Sequence, residues 1–225
     1  MNPAVCIESD LTIGYRTRKW RGGKNVRLAE ASEKIELTSG RHLLLARNGR
    51  GKTTLLKTLA GLIPAFDGGF DISGQLQFID EELRFDPELT SKQIFRSFFT
   101  NGLLEKAIHY SERLELDLKK PYGKLSKGNR QKVALVLAET RANDGSKGGQ
   151  VLLLDEPFSG LDFHVRNEID DIWSENNDNH VRLVCVHPDE PTLKAESAIV
   201  ISDGEIRQLD IDGALDWFET RESLN

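Results

Sequence analysis

Residues Ala46 to Thr54 read ARNGRGKTT, set between RHLLL (Arg41 to Leu45) and LLKTLAGL (Leu55 to Leu62). The stretch closes on the Gly51-Lys52-Thr53 of the phosphate-cradling pattern G-x-x-x-x-G-K-[ST], with Ala46 standing where the pattern has its first glycine. Gly49 and Gly51 let backbone N–H groups converge on phosphate oxygens without Cβ obstruction. The helix expected to follow presents its positive N-terminus, Lys52 supplies a point charge and Thr53 offers a hydroxyl to Mg²⁺. Ala46 sits at the far end of the loop, where glycine serves the turn out of the strand, so alanine fits if its φ is negative. A glycine-rich turn with an incidental lysine is the plain alternative, and the order strand, glycine loop, helix argues against it.

Upstream, AVCIE, LTIGY, KIEL and RHLLLA read as strands, with a Ser39-Gly40 turn before the last. Downstream, Leu55, Leu56, Leu59 and Leu62 keep a helical period until Pro64 and Asp67-Gly68-Gly69 break it. GFDIS and QLQFI read as a short strand pair. The segment from Leu89 to Leu118 then reads as two helices, TSKQIFRSFF and LLEKAIHYSERLEL. A third helix starts near Ser126 and runs through RQKVALVLAETRA; Asn143 to Gly149 is built of turn formers and reads as a surface loop. The rest alternates: strand QVLLLD, helix FHVRNEIDDIWSE, strand VRLVCV, a helical turn after Pro191, strand AIVIS, an Asp203-Gly204 turn and strand EIRQL. Strands separated by helices predict an α/β fold with a largely parallel sheet, an N-terminal antiparallel β region and an inserted helical subdomain at about 87–141.

Two further segments carry chemistry. VLLLDEP, Val151 to Pro157, is an apolar strand ending in Asp155 and Glu156 at the edge where open α/β sheets place ligands. Strand alternation predicts that the two carboxylates point apart, one toward a Mg²⁺ hydration shell and one toward an attacking water. A solvated acidic turn is the alternative. In KLSKGNRQKVALVLAE, Lys124 to Glu139, Ser126 and Gly128 stand at a helix start, where hydroxyl and free N–H groups form a second anion site or simply cap an amphipathic helix.

Composition narrows the partners. With 30 Lys+Arg against 36 Asp+Glu the net charge is -6, so nucleic acid is not an expected partner. The basic RTRKWRGGK around Trp20 is read as a solvated hairpin turn. MNPAVCIESD lacks the character of a secretory signal, and no run reaches the about 18 apolar residues of a membrane span, which predicts a cytoplasmic product. Cys6 and Cys185 read as small buried hydrophobes, and the five histidines lack zinc-site spacing.

Together these segments resemble the nucleotide-binding subunits of ABC (ATP-binding cassette) transporters, over Ile7 to Leu209 of a single domain spanning 1–225. ARNGRGKTT resembles the Walker A loop, LSKGN the signature, VLLLDEP the Walker B strand, SGLD (Ser159 to Asp162) the D-loop, and His187 in VCVHPDE the switch histidine. The resemblance implies a P-loop NTPase core in which Ala46, Arg47, Asn48, Gly49, Arg50, Gly51, Lys52, Thr53 and Thr54 hold ATP. Tyr15 would stack on the adenine, with Trp20 as its rival. It implies further that Thr53 and Asp155 position Mg²⁺, that Glu156 polarises the hydrolytic water and that His187 contacts the γ-phosphate. Ser126, Lys127 and Gly128 would act on the ATP of a second subunit, and Asp162 would link the two sites. The implied partners are a second ABC ATPase subunit, identical or not, and transmembrane permease subunits. The implied location is cytoplasmic, peripheral at the inner face of the cell membrane, in an exporter-type assembly. A soluble ABC-type ATPase in assembly or regulation is the alternative.

Four positions depart from the family pattern: Ala46 for a glycine, Lys127 and Asn129 within the usual L-S-G-G-Q, and Glu81 where a glutamine is usual. Glu81 would bring a carboxylate near Mg²⁺ and counts as a candidate ligand. Phe95, Phe98 and Phe99 are candidates for touching a membrane partner or for the core of the helical insert.

Overall fold

The computed structural model describes residues 2, 4–16, 25–145, 148–176, 179–186, 193–211 and 214–215. Along the chain, strands β1 (Ala4–Ile7), β2 (Thr12–Arg16), β3 (Asn25–Ala31), β4 (Ile35–Leu37) and β5 (Gly40–Ala46) lead into helix α1 (Lys52–Leu59). Then follow β6 (Phe70–Ser73), β7 (Gln75–Ile79), and helices α2 (Ser91–Phe98), α3 (Asn101–Arg113) and α4 (Lys127–Ala142). The C-terminal part contains β8 (Gln150–Asp155), α5 (Phe163–Glu175), β9 (His180–Cys185), β10 (Leu193–Lys194), β11 (Ser197–Ser202), β12 (Glu205–Asp210) and β13 (Ala214–Leu215). Contacts divide the chain into two units, Met1–Phe78 with Gly148–Asp155 and Asp178–Asn225, and Ile79–Lys147 with Glu156–Asn177.

The first unit is built on a sheet ordered β2-β3-β12-β11-β5-β9-β8-β7. Its centre is parallel: β5 runs parallel to β11 on one side and β9 on the other, and β9 parallel to β8. Every residue of β5, β8 and β9 is buried, which is why these strands read as continuous apolar runs rather than alternating ones. Antiparallel pairing joins β2 with β3, β11 with β12, the short β10 with β13, and the strands of a second sheet ordered β4-β1-β6, which with β2 and β3 forms the expected N-terminal antiparallel region. Leu44, Ala46, Leu55, Leu56, Leu59, Val151, Leu153, Ile199 and Ile201 share one core with residues of the second sheet, so sheet burial fixes the position of α1.

Several expectations need correction. Helix α1 stops at Leu59, before Leu62, because Gly61 takes φ 70. The Leu62 N–H then bonds Lys57 O and the Gly61 N–H bonds Thr58 O, both at 2.9 Å, a paired C-terminal cap that leaves Leu62 62% exposed. GFDIS and QLQFI do not pair with each other. One residue, Gly74 at φ 120, separates them, too short a link for a hairpin, and β6 pairs with β1 while β7 joins the large sheet. Strand β3 was not foreseen, and the basic stretch before it lies mostly outside the described residues. Pro191 also lies outside them, and Leu193–Lys194 pairs with β13 instead of turning helically. Cys185 is buried as expected, but Cys6 is half-buried with its thiol donating to Glu8 Oε1 at 3.5 Å.

In the second unit, Thr90 and Gln93 close a reciprocal capping box on α2, which explains its start at TSKQ. Arg113 ties α3 to α5 through Glu168 at 3.0 Å and Glu175 at 2.8 Å. The Phe158 and Trp173 rings meet at 5.5 Å. Phe95 and Phe99 are core residues, whereas Phe98 is 52% exposed and touches Phe85 edge-on.

His42 generates a stability prediction for the first unit. Its Nε2–H donates to Thr38 O at 2.8 Å, so Nδ1 accepts from the Ser197 hydroxyl, also at 2.8 Å, and burial pushes its pKa down. A lowered folded-state pKa means that the contribution is complete above the ordinary histidine value, about 6.5, and is lost as pH falls below it. The melting temperature is expected to drop between pH 7.5 and 5.5, with part of that slope missing in His42→Gln; an identical slope in both proteins would refute the assignment.

Candidate phosphate-binding site

The loop after β5 follows from the burial of that strand. Ala46 is fully buried, pairs with Ile201 in β11 and is not among the described non-glycine residues with positive φ, which meets the condition for alanine there. The next four residues, Arg47 to Arg50, are exposed and turn back through an Arg50 N–H to Arg47 O bond of 3.2 Å. Gly49 at φ 77 and Gly51 at φ 111 occupy conformations that side chains disfavour. A Cβ on Gly51 would also come within 3.0 Å of Ile13 Cδ1 in β2, whereas a Cβ on Gly49 would meet nothing within 4 Å.

Lys52 is buried and bends back across the loop to Ala46 O at 3.1 Å and Asn48 Oδ1 at 3.4 Å. Gly51 gives α1 no side-chain cap, so the first-turn N–H groups of Lys52, Thr53 and Thr54 are left for an outside acceptor. Thr53 is exposed and Thr54 half-buried. Positions 46–54 hold Arg47, Arg50 and Lys52 and no acid. Uncapped N–H groups, an ammonium and open space beside Gly49 fit a polyphosphate. Tyr15 in β2 is 49% exposed, two residues beyond the Ile13 that approaches Gly51; Trp20 lies outside the described residues.

Asp155 ends β8, buried and opposite Cys185 in β9. Strand alternation does not set the direction of Glu156, contrary to expectation. Glu156 has already left the strand at φ 48, a left-handed conformation that costs a non-glycine residue about 1 kcal/mol or more. Thr53 and Asp155 belong to the first unit, and Glu81 and Glu156 to the second. Among the described residues no group of three or more His, Cys, Asp or Glu could hold a metal ion. His187 lies outside the described residues.

In the second unit Ser126 caps α4, its Oγ accepting the Asn129 N–H at 3.2 Å and Nδ2–H at 3.1 Å. Gly128 is pinned: a Cβ there would lie 2.2 Å from the backbone O of Gly160, itself at φ 75. Asp162 caps α5 by accepting the Val165 N–H at 3.0 Å, and that bond holds its carboxyl below its usual pKa. Glu81 meets Lys127 at 2.5 Å and accepts the Ser159 hydroxyl at 3.4 Å. Glu81 and Lys127 line a cavity of about 200 Å³ that also takes in Arg84, Arg130 and Gln131. The last two passed unnoticed in the sequence because they read as ordinary polar positions of an amphipathic helix.

A phosphate-cradling loop between a central parallel strand and a helix, with an acidic residue ending another strand of the same sheet, defines the P-loop class of nucleotide-binding proteins. The family model described as ABC transporter matches residues 33–159, and the chain belongs to that family. It is 32% identical over 162 residues to an uncharacterized ABC transporter ATP-binding protein of Methanocaldococcus jannaschii, covering 64% of this chain and 56% of that protein. It is 33% identical over 175 residues to the aliphatic sulfonates import ATP-binding protein SsuB 1 of Pseudomonas fluorescens, covering 73% of this chain and 64% of that one. The chain thus matches only about three fifths of the length of these relatives. In fold it resembles a dimeric ATP-binding cassette in a post-hydrolysis state bound to ADP and Pi, with TM-score 0.70 and 17% identity, covering 93% of this chain and 99% of that one.

The pinned glycine gives a prediction. Gly128→Ala must displace the Gly160 peptide and is expected to destabilise the protein by about 1–3 kcal/mol, read as a lower urea midpoint. Gly49→Ala has open space and pays only for its backbone conformation, about 1 kcal/mol. Equal midpoints for Gly128→Ala and the parent would disprove the close approach.

Proposed function

We propose that this chain is the ATP-binding and ATP-hydrolysing subunit of an ABC transporter, which associates with a second ABC ATPase subunit on ATP and powers a separate membrane-spanning partner. The observation that carries the proposal is the loop from Ala46 to Thr54 in a chain of this family. Its uncapped N–H groups and the Lys52 ammonium form an anion cradle with no acidic residue in it. Lys52 then exchanges the Ala46 and Asn48 oxygens for phosphate oxygens, and Tyr15 offers its half-exposed ring to the adenine.

Thr53 and Asp155 are the residues proposed to hold Mg²⁺, which when bound supplies charge neutralisation on the phosphates. Glu156, free of the strand, takes the proton from the attacking water, and His187 is assigned the γ-phosphate contact. Ser126, Lys127 and Gly128 are assigned to the nucleotide of the second subunit, with Asp162 linking the two. Among the described residues no helix is long and apolar enough to cross a membrane. In the proposed assembly the crossing falls to permease subunits, and this chain acts at the cytoplasmic face. One relative is named for aliphatic sulfonates import and another, 28% identical over 189 residues, for macrolide export, so neither substrate nor direction follows from them.

Two variants test the mechanism in Mg-ATP turnover assays and by gel filtration. Glu156→Gln is expected to lose about 100-fold or more in turnover while still associating on ATP. Lys52→Ala should lose nucleotide binding itself. Undiminished turnover in Glu156→Gln would remove Glu156 from the proposed role.

A further inference from the structure

Glu81 and Lys127 both depart from the family pattern, and they meet each other. The Lys127 ammonium lies 2.5 Å from Glu81 Oε1, a contact that a glycine at position 127 has no side chain to make. Glu81 is held from two other sides: the Ser159 hydroxyl donates to the same oxygen at 3.4 Å, and Arg84 Nη1 donates to the Glu81 backbone O at 2.8 Å. One carboxylate therefore joins the start of α4 to the turn before Asp162, all within the second unit.

Lys127 is the first residue of a 16-residue helix with no acid in its first turn. Ser126 takes up the Asn129 N–H, which leaves the N–H groups of Lys127 and Gly128 directed at the helix end. Helix end and ammonium together attract an anion, and the anion present is Glu81. A second sign of an unmet ligand stands on the wall of the same cavity: Gln131 is over nine-tenths buried, and among the described residues its Nε2 has no hydrogen-bond partner. The ion pair is short but part-exposed, with side chains 64% exposed at Lys127 and 36% at Glu81, the regime in which solvent screening keeps ion pairs weak and exchangeable.

We propose that Glu81 is a positioning residue that acts as a built-in stand-in for phosphate: it holds Lys127 and the Ser126–Gly128 helix start, and a nucleotide polyphosphate displaces it. The proposal rests on the chain being an ATP-hydrolysing subunit whose helix start meets the nucleotide of a second subunit. Glu81 then sets the ATP concentration at which two subunits associate, acting through Lys127 rather than through Mg²⁺.

The experiment measures ATP-driven association by analytical ultracentrifugation in the Glu156→Gln background, at low and high salt, for Glu81→Gln, Lys127→Gly, Lys127→Arg and the double variant Glu81→Gln/Lys127→Gly. Freeing Lys127 by Glu81→Gln is expected to lower the half-saturating ATP concentration by about 2- to 5-fold, the range for a part-exposed ion pair, and to flatten its salt dependence. Lys127→Gly should erase the effect of Glu81→Gln, and Lys127→Arg should preserve it. A higher ATP requirement in Glu81→Gln, no change, or the same shift in both backgrounds overturns the stand-in. A Glu81→Gln shift in Mg²⁺ requirement that survives in Lys127→Gly makes Glu81 a metal ligand and also overturns it. Absence of ATP binding and of turnover in the unmodified protein overturns the subunit assignment itself, whereas binding and turnover with no Glu81 effect overturn only the stand-in.

Discussion

A strand buried on both faces and hydrogen-bonded on both edges leaves no opening for a ligand along its length, and β5 is such a strand: its polar residues Arg41 and His42 are themselves buried. Its chemistry is expelled to its end. Ala46 still pairs with β11, and the next four residues are exposed, so the transition from sheet to phosphate loop takes a single peptide. The same constraint acts on β8, which stays buried through Asp155 and releases Glu156 into a left-handed turn. The candidate site residues therefore stand at strand ends because nowhere else on these strands is open to a ligand.

Where burial and punctuation coincide, the sequence is legible. QVLLLD, FHVRNEIDDIWSE and AIVIS were recognisable because their apolar period and their flanking breakers agree, and the structure gives β8, α5 and β11 at those places. Leu62 misled because its spacing from Leu59 suits a helix, while the conformation of the single residue Gly61 had already ended it. The pairing of β6 with β1 was hidden for a different reason: strand partners are chosen by tertiary packing, not by proximity along the chain.

The site shows the same division. Every candidate phosphate contact from Ala46 to Thr54 is local, so one loop pattern exposes it. Glu81, Lys127 and Ser159 come from three separated segments, and no periodicity connects them. Their meeting is a property of the second unit's packing. In the sequence they appear only as two unusual residues in a family pattern and a serine beside them.

Glycine positions explain which departures the fold accepts. At 51 and 128 the backbone needs glycine, because Gly51 combines φ 111 with a close Ile13 methyl and Gly128 lies against the Gly160 oxygen. Both are retained. At 46 the backbone is extended strand, and at 127 the side chain leaves the helix start toward solvent and Glu81, so alanine and lysine enter without strain. The two middle positions of the signature are thus physically unequal: one is fixed by a peptide oxygen, while the other is free to acquire a charge. A lysine there adds a cation at a helix end that is already positive, and an uncompensated pair of that kind is repulsive within the chain. Glu81 removes the repulsion, which ties the two departures together: a chain that accepts Lys127 gains from a carboxylate within its reach, and the position before Glu82 is where the fold supplies one.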